Sequence, residues 1–121
     1  MNVPEGLFFF LSSALVKSKR ERFLGFLKNG KGQKKFARSL DHDLFKFLDK
    51  NLFVTKLSEK VLSQSGNLFC SNGINSNSES SMIDLYGKAP WEGGWLLISK
   101  SGKFAIYRPE GRIDDEIHIK L

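Results

Sequence analysis

The side chains that could carry catalysis are few, and they lie in different parts of the chain. His42 stands between two aspartates, and His118 follows Glu116 by two positions. A histidine beside a carboxylate can move protons, whereas on the polar face of a helix or strand it is usually an exposed charge. Cys70 is the single cysteine, and it is either a nucleophile, if a histidine folds against it, or a small core residue. Because no reactive group is assembled by these spacings, we expect no enzyme activity and no cofactor.

A short acidic run could bind a divalent cation or a basic partner. It consists of Asp114, Asp115 and Glu116, and Glu110 lies just before it. Neighbouring residues at the start of a strand point in different directions, so we expect no metal cage there. A lone cysteine also excludes an intramolecular disulfide and any metal site built from cysteines. The acids therefore remain candidates for contact with a partner.

A row of basic residues forms the most regular charge pattern. Its members occupy positions i, i+3, i+4 and i+7 of a predicted helix: Lys31, Lys34, Lys35 and Arg38. No acid interrupts the row, and glycines flank its start, where free backbone N–H groups and lysines both favour phosphate. The alternative is a solvated helix face without a ligand. The motif Gly30-Lys31-Gly32 lacks the spacing of a P-loop.

Composition and charge restrict the class of protein. The chain has 121 residues, of which 40% are hydrophobic and 26% charged, which fits one folded domain and excludes a disordered chain or a multidomain enzyme. The net charge is +6, and it is uneven. Residues 1–60 carry thirteen Lys/Arg against six Asp/Glu, whereas residues 61–121 carry six against seven. The positive charge therefore belongs to the first half.

The N-terminal apolar run is predicted to form a core helix. Residues 7–16 contain no charged side chain, but ten residues are far fewer than the ~20 needed to cross a bilayer. Basic residues follow the run instead of preceding it, the reverse of a secretory signal. We expect a buried helix with Pro4 in its first turn, in a cytoplasmic protein that has no membrane partner.

Helical spacing of Phe and Leu continues through the first half. It predicts three further segments: residues 17–27, 31–39 and 54–63. Asn29-Gly30 is a stop signal between the first two. Asp41 or Ser39 could cap one more helix in the following segment, around Leu44.

The second half predicts a sheet. Residues 66–81 are rich in Ser, Asn and Gly, which predicts a long loop, either functional or a tolerated insertion. Four strands are predicted after it, over residues 82–86, 94–99, 103–108 and 116–121. Their short links require antiparallel pairing. We therefore expect a single α+β domain with a helical half at 1–65, a loop at 66–81 and an antiparallel sheet at 82–121.

Two tryptophans lie at the entry to the predicted second strand. That strand, 94–99, is apolar on both faces, so we expect a central position with its second face covered by a helix, a loop or a partner. Trp95 opens the strand, and Trp91 lies four residues earlier beside a glycine-rich turn. Tryptophan is enriched in binding hot spots and is also a common core filler, so both roles stay open here.

One segment carries a resemblance to known proteins. The span 20–48, RERFLGFLKNGKGQKKFARSLDHDLFKFL, resembles a segment found in small uncharacterised bacterial proteins. In its size, α+β layout and lack of a catalytic pattern, the chain resembles the immunity proteins that neutralise bacterial toxins. The resemblance implies a cytoplasmic inhibitor that blocks its toxin by direct binding. Its candidate contacts are two tryptophans and an acidic patch: Trp91, Trp95, Glu110, Asp114, Asp115 and Glu116.

Net charge complicates the identity of such a partner. An inhibitor of a cationic nuclease is expected to be acidic by electrostatic complementarity, whereas this chain is +6. Either the toxin surface is acidic, or the local acidic patch outweighs the global charge.

Nucleic-acid binding is the alternative function. It is motivated by the basic first half of the chain and by the row formed by Lys31, Lys34, Lys35 and Arg38. No recognition-helix, RNA-binding-sheet or zinc-finger signature accompanies the row, so binding would consist mostly of phosphate contacts and would be weakened by salt.

Overall fold

The computed structural model describes residues 3–73, 79–111 and 116–121. Six α-helices lie in this part of the chain: α1 Glu5–Ala14, α2 Arg20–Phe26, α3 Gly30–Ser39, α4 Asp43–Phe47, α5 Glu59–Leu62 and α6 Met82–Tyr86. Short 3-10 turns precede α2 and β1, at Lys17–Lys19 and Lys50–Leu52. Five strands complete the fold: β1 Phe53–Val54, β2 Gly66–Cys70, β3 Trp95–Ser99, β4 Phe104–Arg108 and β5 Ile117–Lys120.

The strands form one antiparallel sheet in the order β1-β5-β4-β3-β2. Leu97 pairs with Ile106 between β3 and β4, and Ile106 pairs with His118 between β4 and β5. The three consecutive strands β3, β4 and β5 are those predicted from alternation and tight turns. The α+β class, with helices mostly first and the sheet mostly afterwards, is confirmed.

Two predictions around the 66–81 loop are wrong. Residues 82–86, predicted as a strand, form helix α6, because Ser81 caps it by accepting a hydrogen bond from the N–H of Asp84 at 3.3 Å. Its buried residues, Met82 and Leu85, are three apart, the spacing of a helix face. The first five residues of the predicted loop are instead strand β2, which is buried along its whole length.

The helical half matches the predictions in α1 and α3 and departs from them at three places. Asn29, predicted within a stop signal, is the N-cap of α3, where its side chain accepts a hydrogen bond from the N–H of Gly32 at 2.9 Å. Neither Asp41 nor Ser39 caps α4, whose N-cap residue is His42. Of the helix predicted over 54–63, only Glu59–Leu62 is helical, and Val54 pairs with β5.

Both faces of the sheet are covered. On one face, α1 to α4 pack against Leu96, Ile98 and Tyr107, with Phe36 completely buried among them. On the other face, α5, α6 and the segment before α5 pack against Trp95, Leu97 and Ile106: their buried residues are Leu57, Leu62, Met82 and Leu85. This explains the strand that is apolar on both sides, since β3 lies inside the sheet between β4 and β2. In the described part of the chain, no helix combines the length and apolar character needed to cross a membrane.

Candidate functional site

Trp91 is the most exposed large hydrophobic side chain of the described residues. It lies in the turn between α6 and β3, and 81% of its surface is accessible. The other exposed apolar side chains are at most 49% accessible. An indole presented to water in this way exposes most of its apolar area, and such residues recur at the centre of protein interfaces.

A buried arginine holds the backbone of the Trp91 turn. Arg108 ends strand β4 and is only 7% exposed. Its Nη2 donates hydrogen bonds to the carbonyl oxygens of Pro90, at 2.7 Å, and Trp91, at 2.9 Å. The guanidinium carbon also lies 5.6 Å from the centre of the Trp95 ring, within cation–π range. The turn is therefore tied to the middle of the sheet, although the Trp91 side chain is free of the core.

A small cleft opens beside Trp91. Its volume is about 280 Å³, and it is lined by side chains from α6, the turn and three strand ends or entries: Tyr86, Ala89, Pro90, Trp91, Trp95, Arg108 and Glu116. The hydroxyl of Tyr86 donates to the carboxylate of Glu116 at 2.6 Å. This hydrogen bond, with burial and the negative charge of Glu116, raises the pKa of Tyr86 to about 12, and Arg108 partly opposes the shift. The polar wall of the cleft is thus a preformed hydrogen-bonded pair.

Trp95 belongs to the core and not to the surface. It is 1% exposed and makes an edge-to-face contact with Tyr86 at 5.9 Å between ring centres. Its indole Nε1 is buried and finds no hydrogen-bond acceptor within the described ranges. Of the two roles that the sequence left open for Trp95, its burial under α6 favours core packing over direct contact with a partner. Trp95 acts instead as packing beneath the Trp91 cleft.

The two described acids of the predicted patch, Glu110 and Glu116, have different partners. Glu116 lines the cleft and is engaged by Tyr86, whereas the Oε2 atom of Glu110 lies 3.5 Å from the Nε2 atom of His42 at the surface. Asp114 and Asp115 lie outside the described residues. Of the six predicted partner contacts, the structure therefore brings together Trp91 and Glu116 at one cleft, with Trp95 below them.

The basic row is intact and exposed on helix α3. All four of its side chains, Lys31, Lys34, Lys35 and Arg38, are exposed, and we call this surface the α3 ridge. A groove of about 670 Å³ lies on one side of it, between α3 and the turn after β2, lined by Gly30, Gln33, Lys34, Ala37, Arg38, Ser71, Asn72 and Gly73. A second concavity of about 240 Å³ lies on the other side: it is lined by Arg22, Phe23, Phe26, Lys35, Arg38, Ser39, Asp43 and Phe47. Arg38 borders both.

The residues with nucleophilic or acid–base chemistry are engaged elsewhere. Cys70 is 4% exposed in strand β2. The Nδ1 atom of His118 accepts a hydrogen bond from the N–H of Leu57 at 3.0 Å, and burial, the largest effect, lowers the pKa of this histidine. Within the ranges that the structure describes, no three His, Cys, Asp or Glu residues are grouped so that they could hold a metal ion.

Sequence reasoning missed the two residues that shape the cleft, Arg108 and Tyr86. A signal for Arg108 was present in the sequence, since a charged side chain ends the otherwise apolar strand Phe104–Arg108. Tyr86 was concealed by the wrong assignment of its segment to a strand. Comparisons of the chain with protein-family models, curated proteins and solved structures find no match.

Proposed function

We propose that this protein is a non-enzymatic protein-binding module, in the form of a cytoplasmic immunity-type protein that neutralises a toxin by binding it directly. Its contact surface is centred on Trp91 and the cleft beside it. The observation that carries the proposal is the combination of an 81% exposed indole with a backbone anchored by the buried Arg108.

The physical argument is preorganisation. Burying a tryptophan in a partner removes a large apolar area from water, and a side chain with two rotatable bonds loses little conformational entropy. A turn that is already fixed saves part of the ordering cost that a flexible loop would meet on binding. Arg108 supplies this rigidity, since it holds two successive carbonyl groups of the turn. Trp91 is therefore expected to act as a hot spot.

Electrostatics is expected to contribute less than burial of the indole. Glu116 is already engaged by Tyr86, and Glu110 by His42. A carboxylate that already accepts a hydrogen bond inside its own chain keeps fewer acceptor sites for the donors of a partner. The proposal consequently depends on Trp91 and not on Glu110 and Glu116.

The test is a binding measurement with a defined partner. The product of a toxin-like reading frame directly upstream is co-expressed with this protein, and their complex is measured by calorimetry and by relief of growth arrest. Trp91→Ala should weaken the complex at least ~30-fold, the loss expected of a hot spot, without changing the melting temperature. Ile83→Ala is the matched control, because Ile83 is 49% exposed on α6 and does not line the cleft.

Two results would contradict the proposal. One is the absence of a complex with the neighbouring gene product, or the absence of any such neighbour. The other is a complex whose affinity is the same for Trp91→Ala as for the unmodified protein.

A further inference from the structure

We propose that the α3 ridge binds the phosphate backbone of a single-stranded nucleic acid, which lies in the groove between α3 and residues 71–73. This site is separate from the Trp91 cleft, with which its lining shares no residue. The inference does not depend on the proposed function.

The ridge is a rigid support for its four cations. Phe36, on the opposite face of α3, is completely buried and packs edge-to-face on Phe69 at 6.3 Å. Gly32 lies so close to the backbone of Phe26 that a Cβ atom would overlap its carbonyl oxygen. With α3 held from below, its charges keep their helical spacing of about 5.4 Å per turn and span about 10 Å along the axis. Charges in such a row can each meet a different phosphate.

The charge of the ridge is not compensated. None of the four cations forms an ion pair with any residue for which the structure gives a position. Asp43 is the acid that lines the smaller concavity, and its Oδ1 atom lies 3.7 Å from the Nζ atom of Lys46, which is not part of the ridge. Residues 17–38 add to the positive field, since they contain nine Lys/Arg and one Glu. A surface of one sign beside a concave wall attracts a polyanion.

The shape of the site favours a strand over a duplex. A groove of about 670 Å³ falls within the range of ~300–1,000 Å³ usual for small-molecule sites, which suits one or two nucleotides and not the width of a double helix. Hydrogen-bonding side chains of Gln33, Ser71 and Asn72 line it beside Lys34 and Arg38. Such groups can meet base edges or sugars while the cations meet phosphate.

The other concavity combines partly exposed aromatic rings with cations. Phe26 and Phe47 line it and are only partly buried. Arg22 lies over the Phe26 ring at 5.7 Å, and Lys19 over the Phe47 ring at 5.0 Å. Single-strand sites commonly combine cations that follow the backbone with aromatic rings on which bases stack. Arg38 lines both concavities, so a strand that leaves the groove over this residue would reach the second concavity.

The test is the salt dependence of binding to a fluorescent 20-nucleotide single strand, as DNA and as RNA, followed by anisotropy with the full chain. Three ridge cations line the two concavities: Lys34, Lys35 and Arg38. One phosphate contact for each predicts a slope of about −2.1 for log K against log salt, and about a 20-fold loss between 50 and 200 mM. Lys34→Ala with Lys35→Ala should reduce the slope to about −0.7. Lys34→Glu with Lys35→Glu should abolish binding at 200 mM.

The control pair is Lys60→Glu with Lys103→Glu. Both residues are exposed and lie off the ridge, and the change in net charge is the same as for the ridge pair. The control should keep the slope of the unmodified protein, and all variants should keep its circular dichroism spectrum and melting temperature. Trp91→Ala should bind the strand normally, so that failure of this proposal is distinguished from failure of the partner-binding proposal.

Four outcomes would overturn the inference. They are undetectable binding at 50 mM salt, an equal loss of affinity in the control pair, tighter binding of a duplex than of a single strand, and binding of polyglutamate as tightly as the oligonucleotide. The second would indicate a diffuse effect of net charge, and the last would indicate an acidic protein as the occupant.

Discussion

The carboxylate of Asp41 accepts a hydrogen bond of 2.6 Å from the backbone N–H of Gly94. This bond joins the corner that follows α3 to the entry of β3. Two more bonds reinforce the same corner: Tyr107 donates its hydroxyl to the carbonyl of Leu40 at 2.6 Å, and the N–H of Glu110 donates to the carbonyl of Asp41 at 2.9 Å. The helices that carry the α3 ridge are therefore fastened to the strands that carry the Trp91 cleft.

Gly94→Ala tests this junction. A Cβ atom at residue 94 would overlap the carbonyl group of Leu40, and overpacking of this kind costs about 1–3 kcal/mol of unfolding free energy. Urea denaturation should report the loss. Gly25→Ala is the matched control, because a Cβ there meets nothing within 4 Å in α2, and helix propensity predicts a gain of about 0.5–1 kcal/mol. Equal stability of the two variants would mean that the junction is looser than described.

Phe36→Ala tests the core beneath the α3 ridge. Phe36 is fully buried against Phe69, so removal of its ring should cost about 3–5 kcal/mol and lower the melting temperature. Phe8→Ala, at a side chain that is 39% exposed on α1, should cost distinctly less. A melting temperature that Phe36→Ala leaves unchanged would contradict the assigned face of α3.

Arg108→Gln tests the anchoring of the Trp91 turn. The substitution removes two hydrogen bonds from a charged donor to carbonyl groups, and hydrogen bonds of this type contribute about 1.5–3 kcal/mol each before relaxation. We expect lower stability and a lower fluorescence anisotropy of Trp91, measured with Trp95→Phe as the common background, because the released turn lets the indole move. Arg38→Gln, at an exposed residue of α3, should change neither measurement. An unaltered anisotropy in Arg108→Gln would show that the arginine does not order the turn.

Stability should depend on pH through His118. Burial, with repulsion from Lys56, lowers the pKa of His118 below its ordinary value of 6.5, and Glu116 opposes the shift in part. The unfolded chain therefore binds a proton at this histidine more readily than the folded chain does. The stability associated with a neutral His118 is complete above about pH 6.5, and it is lost as the pH falls through the lower pKa of the folded state. Protonation of Nδ1 also removes the acceptor of the Leu57 N–H.

The urea concentration at the unfolding midpoint should therefore decrease when the pH is lowered from 7.5 to 5. His118→Gln should flatten this dependence, because the glutamine carbonyl can accept a hydrogen bond at every pH. His42→Gln should retain it, since His42 is exposed and pairs with Glu110 at the surface. A midpoint that is as pH-dependent in His118→Gln as in the unmodified protein would assign the effect to another group.

Local patterns in the sequence sufficed for several elements and for one candidate site. The spacing of Phe36 and Leu40 predicts the buried face of α3, and the same helix register puts its cations together on the other face. The alternation in β5 likewise predicts which side of the strand is buried. These predictions succeed because neighbours three, four or two residues apart determine them.

Short apolar segments could not be assigned from local pattern. Five residues such as MIDLY fit a strand or one and a half turns of helix, and the Ser81 cap with packing on β2 and β3 decides for the helix. Strand β2 is buried on both faces and has no alternation to reveal it. Its assignment depends on pairing with β3, from which it is separated by the 24 residues 71–94, and no local window contains both strands.

The amino-acid sequence alone determined the class of the fold, the three consecutive strands and the basic row on α3, because these follow from periodicity and charge along one segment. Only the tertiary structure decided that Trp91 is exposed while Trp95, four residues later, is buried. It also decided that Arg108 holds the turn and that Tyr86 engages Glu116. The reason is that these contacts join residues 17 to 30 positions apart, and the order of the strands in the sheet, together with the helix packed on it, brings them together.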